Sequence, residues 1–506
     1  MSIIHNKNGE RNRISDQPSE YDGWIGIEYR GESSMQFPKK QFAVETRDSL
    51  GQNREVSLFD MPMENDWVLY APYSDKTLIR NVLAYRLWRN MGHYGSRTQL
   101  CELVLNGEYW GVYIFMEKIK RDGGRVAIAK LKSTDTQDSQ LTGGYIIKVD
   151  KPAGENIGGW TSPFPSFHPG NTRKTFYQYH SPKPDEIQLQ QQQYIQTYIN
   201  NFETMMAGDS YDDPVAGMWT ALDMDSFYDY VINSELSKNV DAYRLSTFLY
   251  KNRDDRNPRL YAGPIWDYNL AYGNAKYYTG ETTEGWQIEY FMFSDYFNID
   301  GALSSMPFWW GNMWQSRRFQ NKLYTRWWKW RESCLSTDKI MGIIDSLTVE
   351  LEEAQHRNFK RWPILDEYVW PNAYIGYSYE DEIDYLKDWC GKRIQWMDEH
   401  LTFSPANVER QTETPSGCTL TNYPNPFNST TTICIEPHTA QFLSLDIYDV
   451  NGRLVRHLMD GVSRERKNTL MWDARENSGR KVVSGVYWLR LQSSMGLTFH
   501  RLLYLR

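Results

Sequence analysis

The sequence predicts an α+β chain in two parts, a mixed strand-and-helix body followed by a small all-β sandwich. Three observations predict it. Residues from about 20 to 151 read as strands interrupted by one helix. Residues from about 185 to 402 carry apolar side chains at helical spacing. A polar linker at 403–417 then leads into 418–506, where short strands recur between Asn-Gly and Ser-Gly turns.

The chain has 506 residues, 40% hydrophobic and 24% charged, enough for two or three domains. A net charge of −8 with both signs interspersed argues against nucleic acid as a partner, because phosphate-binding surfaces show a basic excess. No apolar run reaches the roughly 20 residues of a membrane span. The nearest, Leu103 to Met116, is broken by Asn106, Gly107 and Glu108. Aromatics at 15% fit an exported protein that works at surfaces or on glycans. Cys101, Cys334, Cys390, Cys418 and Cys434 are odd in number and lack metal-ligand spacing, so no disulfide framework follows. The first residues lack a basic region followed by an apolar stretch and enter polar sequence at once, so an upstream segment is expected.

Taken in order, Tyr21 to Gly31 alternates apolar and polar positions and reads as a strand ending in the turn RGESS. A second strand follows in FPKKQFAVET, with Phe42 and Val44 on one face. Leu78, Val82, Tyr85 and Trp88 recur at helical spacing behind a cap at Ser74 or Asp75, and Gly92 stops that helix. Two strands joined at Asn106-Gly107 come next, then the strand GGYIIKVDK, whose pleat sets Ile146, Lys148 and Asp150 on one face. Residues 152–190 read as an irregular, Gly- and Pro-rich insertion. The helix in DMDSFYDYVINSELSKN is expected to be amphipathic, and Asn239 and Asp241 lie just beyond it. FLYKN and RLYAG read as the arms of a hairpin. Phe308, Trp309, Met313, Leu323, Trp327 and Trp330 approximate helical spacing, so this Trp-rich stretch reads as packed core rather than a sugar platform. Leu386, Cys390, Ile394, Met397 and Leu401 mark a last helix.

Two carboxylates stand out. Asp241 and Asp267 each follow an apolar segment and flank the hairpin, the arrangement by which one acid orients an attacking hydroxyl and another holds a divalent metal. Solvated surface acids or helix caps are the plain alternative in a chain with 64 acidic residues. Gly31, Ser33 and Ser34 with Lys39 and Lys40 form a turn that could cradle phosphate, or a hairpin turn with solvated lysines.

RGESSMQFPKKQFAVET, DWVLYAPYSDKTLIRNVLAYRL, ELVLNGEYWGVYIFMEKIKRD, GGYIIKVDK, NVDAYRLSTFLYK and GPIWDYNLAYGN together resemble the CotH family of atypical protein kinases, over roughly residues 20–400. The resemblance implies a divergent two-lobed protein-kinase-like fold within 1–402, with an N-lobe at about 20–151 and a helical C-lobe at about 185–402. It implies transfer of phosphate from ATP, with Mg²⁺ or Mn²⁺, to Ser or Thr of proteins. Asp241 becomes the catalytic aspartate and Asp267 the metal ligand, with Asn239 as a further ligand. Arg30, Ser33, Ser34 and Lys40 become the phosphate-facing set, and Glu117 and Lys148 nucleotide-pocket residues. Many members have a second acid where this chain has Asn269, and Ser246 stands where an ordinary kinase has Asn.

The C-terminal part resembles FlgD-type immunoglobulin-like domains and type IX secretion sorting domains through YPNPFN (Tyr423 to Asn428), the turn Asp449 to Arg453 and SGVY (Ser484 to Tyr487). That implies a secreted or cell-surface protein that meets an export machinery through this domain. A non-catalytic adhesin or glycan-binding pseudokinase is the competing reading, and a glycosidase carboxylate pair a third.

Overall fold

The computed structural model describes residues 1–7, 10–152, 157–167, 173–294, 305–403, 418–437, 441–449, 453–463, 467–493 and 496–505. The chain divides into two compact units, 1–404 and 405–506. The expected linker lies, apart from Phe403, outside the described residues, as does part of the 152–190 insertion.

The first unit opens with a short ribbon, β1 (Ser2–Ile3) and β2 (Tyr21–Asp22). Then come β3 (Trp24–Arg30), β4 (Gln41–Arg47), β5 (Asp66–Tyr70), α1 (Arg80–Asn90), β6 (Thr98–Leu105) and β7 (Glu108–Glu117). The strands form one antiparallel sheet in the order β3-β4-β5-β7-β6. Phe42 and Val44 are buried as their alternation requires. The alternation of Tyr21 to Gly31 does not produce a buried face. Trp24, Ile27 and Tyr29 are all exposed, because β3 is the sheet's edge and nothing described covers that side. Asn106 and Gly107 both take positive φ, as a two-residue hairpin turn demands. Asp75 caps α1 from outside the helix, its carboxylate accepting from Arg80 N–H at 2.9 Å and from the Arg80 guanidinium at 2.7 Å.

A second five-stranded antiparallel sheet departs from expectation. It contains β8 (Tyr145–Val149), β9 (Gly159–Pro165), β10 (Lys174–Ser181), β11 (Thr247–Lys251) and β12 (Leu260–Ala262), in the order β12-β11-β8-β10-β9. Thus GGYIIKVDK does not join the first sheet. Both its faces are apolar: Ile146 packs with Ile119, Val126 and Phe248, while Tyr145, Ile147 and Val149 enter the main core. A strand buried on both faces belongs at the centre of a sheet, and β10 and β11 flank it. The supposedly irregular insertion supplies β9 and β10. Its Gly and Pro content masks strand-forming aromatics, of which Trp160 stacks on Tyr177 at 5.2 Å.

The helices after β7 are α2 (Asp138–Leu141), α3 (Leu189–Ala207), α4 (Met218–Ala221), α5 (Met224–Ser237), α6 (Gln287–Phe293), α7 (Phe308–Gln315), α8 (Arg317–Arg331), α9 (Thr337–Leu351), α10 (Ala354–Arg361) and α11 (Tyr379–His400). Asp223 caps α5, accepting from Ser226 N–H. The helix is not amphipathic, because almost every residue in it is buried among α1, α8 and α11. Trp309, Trp310 and Trp327 are fully buried, so the Trp-rich stretch is core.

The second unit pairs β13 (Cys418–Tyr423), β14 (Thr431–Pro437) and β17 (Asn468–Trp472) in one sheet. A second sheet contains β15 (Gln441–Asp449), β16 (Leu454–Ser463), β18 (Gly485–Ser493) and β19 (Gly496–Tyr504), in the order β16-β15-β18-β19. Ile433, Ile435, Leu445, Leu489 and Trp472 share its core. In YPNPFN, Phe427 packs on Tyr504 and Trp472, and Asn425 hydrogen-bonds the Arg501 carbonyl and Leu503 N–H.

Candidate active site

α5 ends at Lys238 in the left-handed region (φ 47°), which turns the chain sharply into Asn239-Val240-Asp241. The Asn239 side-chain oxygen accepts from Asp241 N–H at 3.1 Å, and its amide reaches toward the Asp267 carbonyl at 3.5 Å. Asn239 therefore stands between the two aspartates. Arg244, three residues beyond Asp241, donates to the Asp241 carboxylate at 3.0 Å and to the Val240 carbonyl. Its guanidinium lies 5.0 Å from the Tyr278 ring.

Asp267 follows β12 and takes φ 67°. Helix α1 holds this conformation through two bonds. Asp267 N–H donates to the Tyr85 hydroxyl at 3.2 Å, and Tyr268 N–H donates to the Asn81 side chain at 2.7 Å. Trp266 stacks on Tyr85 at 6.2 Å, and the Arg30 guanidinium lies 5.6 Å from the Trp266 ring.

The charges couple across these segments. Burial pushes the Asp267 carboxyl up to about 7, Asp241 and Asp150 push the same way, and Arg30 and Lys148 oppose them. Asp241 is also raised, first by burial and then by Asp150, against Arg244 and Lys151. Arg30 is lowered by burial, with Asp267 opposing. Arg30 from the first sheet, Lys148 and Asp150 from the second, and the two aspartates thus share one field.

Of the other expected residues, Ser33 and Ser34 lie in a 3₁₀ turn, Ser33–Gln36. Gly31 before it has φ 100°, and a Cβ there would fall 2.0 Å from Ser34 Oγ, so only glycine closes this turn. Glu32 bonds Lys151 at 3.0 Å and ties the turn to the end of β8. The Lys40 ammonium donates to the Met35 carbonyl. Lys39 is buried on Asn358 at 2.9 Å. Glu117 is fully buried and paired with Arg97 at 2.8 Å and Arg125 at 3.6 Å. The sequence reading missed Asp150, Arg244 and Tyr85. For Asp150 a signal existed, since β-strand alternation puts it on the face of Lys148, and the two pair at 2.9 Å.

Asp267, Asp241 and Asn239 are hard oxygen donors of the kind Mg²⁺ or Mn²⁺ takes. Among the described residues no three His, Cys, Asp or Glu side chains form a ready-made ion cage. A cation that relies on one or two carboxylates plus substrate phosphates needs none. Burial first, and then repulsion from Asp241 and Asp150, disfavours the Asp267 anion; a divalent ion would offset both, so the residues fit one.

A family model described as CotH kinase protein matches residues 27–397, and the chain belongs to this family. A model described as the FlgD Ig-like domain matches residues 422–496. Two solved structures are similar over short stretches. One is dimeric latent PorU from Porphyromonas gingivalis, 22% identical over 17% of this chain and 9% of that one, TM-score 0.16. The other is PorZ, titled an essential surface component of the type IX secretion system of the same organism. It is 26% identical over 17% of this chain and 11% of that one, TM-score 0.13. The chain spans only those small fractions of either protein. No curated protein matches it. No helix among the described residues is long and apolar enough to cross a membrane.

Proposed function

We propose that the first unit transfers the γ-phosphoryl group of ATP to Ser or Thr hydroxyls of proteins. The observation that carries this reading is the coupling of Asp241 and Asp267 within one field that also includes Arg30 and Lys148. Asp241 accepts a hydrogen bond from the acceptor hydroxyl and takes its proton as the new O–P bond forms and the bond to ADP breaks. A raised pKa makes Asp241 a better base, and the Arg244 guanidinium keeps it ionised and oriented. Arg30 and Lys148 face phosphate oxygens, and the turn at Gly31 offers backbone N–H groups. Asp267 and Asn239 would hold Mg²⁺ or Mn²⁺, which when bound neutralises phosphate charge.

The FlgD-like unit fits export and display at a cell surface, where the acceptor proteins would be met. The test is incubation of the whole chain with γ-labelled ATP, Mg²⁺ or Mn²⁺ and a mixed protein substrate, beside Asp241→Ala and Asp267→Ala. Label transfer that both substitutions abolish supports the reading. Equal labelling of all three, or none from folded protein, favours a non-catalytic surface protein.

A further inference from the structure

The first unit contains a cavity of about 170 Å³, walled by Trp88, His93, Tyr94, Arg125, Tyr250 and Pro264. It is distinct from the carboxylate site, yet its walls belong to the elements that hold that site. Trp88 lies one helical turn beyond Tyr85, the residue bonded to Asp267 N–H. Pro264 precedes Asp267 by three residues. Gly263, just before Pro264, has φ 102°, and a Cβ there would fall 2.8 Å from the Trp88 ring, so that ring abuts the backbone leading to Asp267. His93 stacks on Trp88 at 4.3 Å and bonds Asp229 of α5 at 2.6 Å. Asn239 and Asp241 lie just beyond the end of α5.

The lining defines a ligand class. Four of the six named walls are aromatic or imidazole rings, which favour a flat π-bearing molecule. For scale, an engineered apolar cavity of about 150 Å³ accommodates benzene. Two wall residues carry ion pairs: Arg125 lies 3.6 Å from Glu117, and His93 lies 2.6 Å from Asp229, which also pairs with Arg326. The Glu117 carboxylate is shared by two guanidinium groups, Arg97 at 2.8 Å and Arg125 at 3.6 Å, so one anion meets two cations there. Such surroundings favour an anion over a neutral ring.

We propose that this cavity is an effector site for a small aromatic carboxylate, and that filling it stiffens the 262–268 segment that carries Asp267. Binding stands independently of the kinase reading; only a consequence for phosphate transfer rests on that reading. Ala127 lines the cavity and is exposed, so it can be changed without disturbing the core.

The experiment titrates benzoate into the whole chain by ligand-observed NMR and follows hydrogen exchange of residues 262–268. Saturable binding with slowed exchange in that segment is expected. A127W should abolish binding, and A127D should weaken benzoate by about tenfold while leaving benzyl alcohol unchanged. A127D adds a small charged side chain at an exposed position, and benzyl alcohol controls for its bulk, so it decides the matter if A127W misfolds. Absence of benzoate binding, equal binding to all forms, or exchange at 262–268 that ignores benzoate overturns the proposal.

Discussion

The Tyr85 hydroxyl accepts the backbone N–H of Asp267 at 3.2 Å, so a helix packed in the first sheet's half of the unit sets the backbone of a loop that follows the second sheet. Tyr85 is buried, and its ring also stacks on Trp266. Tyr85→Phe removes this bond and keeps the ring. Since one such bond contributes about 0.5–1.5 kcal/mol, kcat/KM for ATP should fall roughly three- to tenfold. Steady-state kinetics at several metal concentrations checks it, with thermal stability little changed.

Arg244 holds the Asp241 carboxylate and lowers its pKa against the effect of burial. Arg244→Met should raise that pKa further. The acid limb of kcat/KM, which requires ionised Asp241, then moves to higher pH. A pH–rate profile of both forms reads the shift, and unchanged limbs would remove Asp241 from the role of base.

Gly31→Ala forces a side chain into a left-handed turn where its Cβ would meet Ser34 Oγ. The turn must rearrange, at a cost of about 1–2 kcal/mol or more. Nucleotide affinity should fall, while Asp241→Asn in the same assay leaves it intact.

Burial brings the Lys39 ammonium down to about 7, with the residue 1% exposed, whereas the same group has 10.5 as its ordinary value. A base whose folded pKa is depressed destabilises the fold when protonated. The unfolded chain binds the extra proton between those two values, so stability rises with pH from about 7 toward 10.5. Lys39→Met removes the titration. Its stability relative to wild type, measured by urea unfolding, should be most favourable at or below about pH 7 and decline as pH rises. A difference that does not vary with pH would contradict this.

In the second unit, Phe427 is 3% exposed and packs on Trp472 and Tyr504. Phe427→Ala should cost about 3–5 kcal/mol, a large share of the stability of so small a domain. Loss of hydrogen-exchange protection across 418–505 is the expected outcome.

Periodicity made the helices readable: the stripe from Leu386 to Leu401 and the spacing of Val82, Tyr85 and Trp88 mark faces that are buried. It could not assign strands to sheets. The partners of β8 are about a hundred residues further on in β11 and hidden within a Gly- and Pro-rich stretch in β10, and no local pattern encodes such pairing. Apolar alternation in Trp24 to Tyr29 failed as a burial signal because an edge strand carries the same composition. The two aspartates were legible from their flanking segments. The bonds that Lys40 makes to the Met35 carbonyl and that the Glu117 carboxylate makes to Arg97 are not shown by sequence spacing. Asp150 was visible beside Lys148 in the strand pleat, and its effect on both aspartates emerges only when three segments meet.

Calorimetry of ATP with Mn²⁺ on the whole chain and on Asp241→Asn and Asp267→Asn tests the proposed phosphate site most directly. Wild type and Asp241→Asn should take up nucleotide with similar affinity, while Asp267→Asn loses most of it. No uptake by well-folded wild type, with either manganese or magnesium, would contradict a phosphotransfer centre built on these two aspartates.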